Sequence, residues 1–127
     1  MTRTNFSVQL HHSKNAGKHF DLRVQSPVNK YLAWSWALPK RRFPEVGEKV
    51  LCIRTQDHSV GYMMFKGVNS QGDKVEIYDH GTVEIPLYTE DRIYLIFNGK
   101  KVKESYLLVK IRRSSNWLMM RSAVEPE

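Results

Sequence analysis

Cysteine is nearly absent from this 127-residue chain, and the single Cys52 excludes an internal disulfide framework and any cysteine-rich zinc site. Set inside Val-Leu-Cys-Ile, it reads as a small buried core residue. No stretch approaches the ~20 apolar residues that span a bilayer. The opening Met-Thr-Arg-Thr-Asn lacks the apolar run of a signal peptide. A cytoplasmic location without a membrane partner is therefore expected. Helix signals are missing as well, since no window combines a sustained helical period with caps. There are no internal repeats, low-complexity tracts or obvious linkers, and the 7 glycines and 5 prolines are scattered as turn punctuation. Acidic residues are in deficit, 13 against 20 lysines and arginines, and the net charge of +7 favours an anionic partner, nucleic acid first.

What is present suffices for one core. A hydrophobic fraction of 41% with 11% aromatics argues against disorder, and the length fits a single domain over residues 1–127. Residues 5–11 alternate with period two, placing Phe6, Val8 and Leu10 on one side and Ser7, Gln9 and His11 on the other. Residues 12–17 read as a polar loop, and 31–37, with Trp34 and Trp36, as a buried strand ended by Pro39. Further strand-like runs follow at 50–55, 74–78, 82–88, 92–97, 105–111 and 117–121. Asp79-His80-Gly81 reads as a turn with His80 exposed, and Asn98-Gly99 as a two-residue type I′ hairpin. Roughly eight to ten short strands argue for an all-β barrel or sandwich.

The chemistry concentrates in Lys18 to Val24. In an extended chain His19, Asp21 and Arg23 share one face, while Phe20, Leu22 and Val24 anchor the other. Alternate strand residues are ~6.6 Å apart at their Cα atoms, close enough for an imidazole and a carboxylate to converge on one cation. Arg23 would then hold an anion beside it, a combination that fits phosphate ester chemistry. Any half-exposed strand has one polar face, so the pattern needs support elsewhere. Lys40-Arg41-Arg42 after the third strand is either a solvated turn or a group aimed at a phosphate backbone.

That support comes from Phe6-Ser-Val-Gln-Leu-His11, His19-Phe-Asp-Leu-Arg23, Ser35-Trp-Ala-Leu-Pro-Lys40, Asp57-His58 with Tyr62, Phe65-Lys-Gly67 and Tyr78-Asp-His-Gly81. In this order, from about residue 5 to Arg121, they resemble the 3′-phosphoesterase domain of ligase D type DNA repair ligases and its freestanding relatives. The resemblance implies a small β-barrel with a polar central crevice that uses manganese to heal DNA 3′ ends. Such a domain removes a terminal ribonucleoside and then the 3′-phosphate. It implies His11, His19 and Asp21 as metal ligands, and Arg23 and His58 as phosphate contacts. Tyr62 and Lys40 would be further catalytic residues, with Gln9 and Gln56 among the substrate-binding positions. Two imidazoles and a carboxylate suit Mn²⁺, Fe²⁺, Co²⁺ or Zn²⁺, and leave positions open for water and substrate. The implied partners are DNA 3′ ends, with a separate ligase and polymerase.

Departures from the family pattern accompany the matches. His11 and His19 are eight residues apart, a longer spacing than usual, so His12 competes with His11 as first ligand. Gln56 stands where an acid is common, and the segment after Gly67 is shortened to Val68-Asn-Ser-Gln-Gly-Asp73. Two other readings follow: a basic barrel that grips DNA ends without turnover, and a non-haem iron oxygenase built on His19, Asp21 and His58.

Overall fold

The structure is a computed structural model that describes residues 2–122. Its strands are β1 (Thr2–Ser13), β2 (Gly17–Gln25), β3 (Leu32–Leu38), β4 (Lys49–Ser59), β5 (Gly67–Val68), β6 (Lys74–Ile85), β7 (Arg92–Asn98), β8 (Ser105–Lys110) and β9 (Asn116–Arg121). One 3₁₀ turn, Val60–Met64, follows β4. All pairings are antiparallel, in the order β1-β2-β3-β4-β9-β8-β7-β6-β5, and β6 pairs back onto β1. The sheet therefore closes through eight strands, leaving β5 as a short flap on β6.

Closure gives the sheet an inner face, and the alternation in the sequence selects what fills it. Phe6 and Val8 from β1, Phe20, Leu22 and Val24 from β2, and Trp36 and Leu38 from β3 enter one apolar core with Leu95, Phe97, Leu108 and Met119. Trp117 packs edge-on against Trp36 with ring centroids 5.7 Å apart, while Trp34 is partly buried at the margin. Cys52 is fully buried, and burial pushes its thiol up to about 12, so it is an inert core residue.

Tertiary contacts override two local turn signals. Asp79-His80-Gly81 is no turn: β6 runs through it, with His80 exposed as expected. Val8 pairs with Asp79 and Gln9 with Ile77, so Tyr78 is the extra residue of a bulge. Asn98-Gly99 does not form a two-residue hairpin either. The loop runs from 99 to 104 because the buried Asp79 carboxylate accepts the backbone N–H groups of Lys100, Lys101 and Val102 at 3.1, 3.0 and 2.8 Å. A Cβ on Gly99 would lie 2.3 Å from Asp79 Oδ2, and one on Gly81 2.3 Å from the Asn98 carbonyl oxygen. Close approach, not a left-handed backbone, therefore requires glycine at both positions. The polar loop expected over 12–17 is shorter in fact, since β1 continues to Ser13.

Candidate metal centre and phosphate pocket

In the β1–β2 ladder His11 lies opposite His19, Gln9 opposite Asp21 and Ser7 opposite Arg23. Directly opposed residues point to the same side, so these six side chains form one polar block on the face turned away from the core. β3 continues it with Ser35 and Ala37, and β4 with Thr55 and Ile53. His58 reaches the same face through an irregularity in β4. Ser35 pairs with Thr55 but Ala33 with His58, so three steps on β4 answer two on β3. The 3₁₀ turn then lays Tyr62 against the site, its ring stacked on His58 at 5.0 Å and on Phe65 at 5.1 Å. His11, His19, Asp21, Arg23, His58 and Tyr62 line an open pocket of about 540 Å³, to which Ala37, Pro39 and Ile53 add an apolar stretch.

The two imidazoles and the carboxylate form a cation-ready group. Ligand-capable atoms of His11, His19 and Asp21 all lie within 4.8 Å of one another. Asp21 is the hub: Oδ2 is 3.0 Å from His11 Nδ1 and 3.6 Å from Arg23 Nη2, and Oδ1 is 3.2 Å from His19 Nε2. The donor set fits a metal. His19 Nδ1 is 3.1 Å from the Gly17 carbonyl oxygen, which can only accept, so Nδ1 carries the proton of the neutral ring. Its Nε2 lone pair then faces Asp21 Oδ1, and two facing acceptors are reconciled by a proton or a cation.

Electrostatics point the same way. Burial alone would raise the Asp21 carboxyl, but the His19 hydrogen bond and the charges of Arg23, His19 and His11 outweigh it and hold Asp21 below the usual carboxylate range. The hydrogen bond to Asp21 raises His19 despite burial. A field that strengthens proton binding at His19 also favours a divalent cation there. Burial lowers His58 below the ordinary imidazole value, and the Arg23 guanidinium lowers it further.

The other sequence-selected residues are placed as follows. Gln9 is fully buried: Nε2 donates to the Tyr62 and Phe65 carbonyls at 2.9 and 3.1 Å, and Oε1 accepts from Arg23 Nε at 2.9 Å. Its amide thus fastens the 3₁₀ turn and aims the guanidinium. Lys40 is exposed after β3 and lines a separate depression with Arg42 and Lys49, and Gln56 is exposed on β4 outside the pocket. His12 points elsewhere, 2.6 Å from Glu76, which leaves His11 as the histidine beside His19. The cation-ready group holds His11 and not His58, unlike the set an oxygenase reading needs. Asp73, the last residue of the shortened segment after Gly67, contacts His11 Nε2 at 3.0 Å.

Gln9→Ala is expected to lower stability by about 2 kcal/mol, because it strips buried partners from two carbonyls and a guanidinium. Cation affinity should change little, because Gln9 is not in the ligand group; urea unfolding and calorimetric titration read the two effects, and a large loss of affinity would contradict a role confined to Arg23 and Tyr62.

A closed antiparallel sheet carrying a two-histidine, one-carboxylate group beside a buried arginine defines a small all-β domain suited to holding a cation next to an anion. The chain belongs to the family described as the DNA Ligase D 3′-phosphoesterase domain, which it matches over residues 9–110. It is 27% identical over 124 residues to the multifunctional non-homologous end joining DNA repair protein LigD of Mycobacterium tuberculosis. To the multifunctional non-homologous end joining protein LigD of Mycolicibacterium smegmatis it is 29% identical over 132 residues. Each alignment covers 91% of this chain, which spans 16% of the length of these relatives.

Proposed function

We propose that this chain is a metal-dependent phosphoesterase that heals DNA 3′ ends during break repair by end joining. It removes a terminal 3′-ribonucleoside as a phosphodiesterase and the remaining 3′-phosphate as a phosphomonoesterase. The observation that carries this reading is the convergence of His11, His19 and Asp21 with Arg23 and His58 on one open pocket. We read residues 1–127 as one domain of this kind, working in the cytoplasm alongside DNA ligase and polymerase activities. Among the described residues no helix is long and apolar enough to cross a membrane.

His11, His19 and Asp21 would hold the divalent ion, Mn²⁺ first and Co²⁺ or Zn²⁺ as alternatives. When bound, such an ion polarises a phosphoryl oxygen and lowers the pKa of a coordinated water. Arg23, held by Gln9 and with its Cζ 5.3 Å from the Tyr62 ring centroid, stabilises charge that builds on the phosphoryl oxygens. His58 hydrogen-bonds the phosphate. The phosphate's negative charge favours protonation of the ring, which equips it to give a proton to the leaving oxygen. Tyr62 keeps His58 in place by stacking. The apolar stretch of Ala37, Pro39 and Ile53 offers contact to the terminal sugar. Lys40, one residue beyond Pro39, and Gln56 are assigned to flanking nucleotides at the rim.

Two placements weigh against a non-catalytic DNA-gripping barrel. Gln56 lies outside the pocket, so its missing charge leaves the polar group intact. The shortened segment after Gly67 still delivers Asn69 and Gln71 to the pocket wall. The test is a labelled primer-template ending in a 3′-phosphate or a 3′-ribonucleotide, incubated with a panel of divalent metals. Conversion to a 3′-hydroxyl end is expected with Mn²⁺ and none with chelator; unchanged primers in every metal would overturn the reading. In the same assay His58→Ala should lower turnover by about a hundredfold with cation affinity changed less than about threefold, since His58 is not in the ligand group.

A further inference from the structure

We propose that Asp73 is a positioning residue of the metal centre, whose carboxylate fixes the His11 ring so that Nδ1 is the nitrogen offered to the cation. The inference rests on the reading of His11, His19 and Asp21 as ligands. Asp73 Oδ2 is 3.0 Å from His11 Nε2, and Asp21 Oδ2 is 3.0 Å from Nδ1 of the same ring. Two carboxylates thus flank one imidazole, and both can only accept. A neutral ring donates to one of them. Asp73 is fixed for that role, because its other oxygen, Oδ1, already accepts the Lys14 backbone N–H at 3.2 Å. With the proton on Nε2 toward Asp73, the Nδ1 lone pair faces Asp21 and His19.

Asp73 is not itself one of the clustered ligands. It contacts the ring nitrogen opposite the one facing Asp21, and the group within 4.8 Å comprises His11, His19 and Asp21. The arrangement parallels His19, whose Nδ1 is tied to the Gly17 carbonyl. Each histidine has one acceptor outside the cluster that turns its other nitrogen inward, as outer partners of metal-bound histidines do.

The turn that carries Asp73 is fixed from several directions. Asn69 Oδ1 accepts the N–H groups of Gln71 and Asp73 at 3.0 and 2.9 Å, and Gly72 adopts φ +82°. Asp73 Oδ1 accepts the Lys14 N–H at 3.2 Å, which locks it to the β1–β2 turn. The short segment after Gly67 is therefore not only a deletion; it brings a carboxylate to His11 just before β6 begins.

The test compares the wild-type chain, Asp73→Ala and the near-isosteric Asp73→Asn by calorimetric titration with Mn²⁺. Cd²⁺-loaded protein with isotope-labelled histidine then reports by NMR which ring nitrogen binds the ion. Wild type is expected to coordinate through His11 Nδ1 and to keep the Nε2 proton. Asp73→Ala should bind Mn²⁺ about 10- to 100-fold more weakly, and Asp73→Asn, which retains an acceptor oxygen, should fall between. The proposal is overturned if all three proteins bind equally tightly, or if His11 of the wild type coordinates through Nε2. Failure of wild type to bind either ion, or unchanged binding by His19→Ala, would instead overturn the metal reading beneath it.

Discussion

Asp21→Asn is expected to lower phosphoesterase turnover by about a thousandfold and to weaken divalent-cation binding by at least about tenfold. Asp21 is the one anionic ligand in the group and touches His11, His19 and Arg23 at once. Its loss removes the charge that draws the cation in and the contact that orients both histidines. A cation polarising a phosphoryl oxygen contributes several kcal/mol to transition-state stabilisation, and each ~1.4 kcal/mol is tenfold in rate. Asparagine is the better test than alanine because Arg23 is buried beside this carboxylate. Alanine would remove both the charge and every acceptor oxygen beside the buried guanidinium and cost about 3 kcal/mol. Asparagine keeps the volume and one acceptor oxygen. Steady-state kinetics on a 3′-phosphate primer with Mn²⁺ titration reads both effects. Unchanged affinity would remove Asp21 from the ligand set.

Asp79→Ala is expected to cost about 3 kcal/mol and lower the melting temperature by about 10 °C, with no direct effect on the site. Three backbone N–H groups lose a charged acceptor; that of Val102 is buried and has no route to water without opening the 99–104 loop. The effect is smaller than three separate charged hydrogen bonds because the N–H groups of Lys100 and Lys101 lie nearer solvent. Burial would raise the Asp79 carboxyl, but the N–H groups of Val102, Lys101, Lys100 and His80 outweigh it and hold it below the ordinary value of 3.8. The unfolded chain takes up the proton first as pH falls. The contribution of Asp79 is therefore complete above about pH 4 and is lost as pH drops through the lower folded value. The stability gap between wild type and variant should be constant from pH 5 to 7 by urea denaturation and should narrow below about pH 4. A gap that widened in acid would contradict this assignment.

The legible part of the site is the part built on uninterrupted period-two strands. His19, Asp21 and Arg23 share a face because β2 is regular, and His11 joins them because Gln9 and His11 keep the same parity on β1. His58 and Tyr62 are different. The first depends on an extra residue in β4 and the second on a 3₁₀ turn, and neither has a periodic signature in the sequence. Family resemblance, not spacing, singled them out. Asp73 escaped notice because an aspartate after glycine looks like any turn; only the β1–β6 pairing sets it against His11. The nine strands among the described residues fall within the expected range, but ring closure rests on the pairing of β1 with β6 and of β4 with β9, which local patterns do not encode. The Asn98-Gly99 signal failed because an acid far away in sequence, Asp79, organised a wider loop.

The most direct measurement is anomalous diffraction from crystals of the protein grown with Mn²⁺. The expected result is a single strong peak within bonding distance of a nitrogen of His11, a nitrogen of His19 and an oxygen of Asp21, absent from Asp21→Asn crystals. A peak elsewhere on the chain, or an undisturbed His11–Asp21–His19 hydrogen-bond cluster at saturating Mn²⁺, would contradict the account.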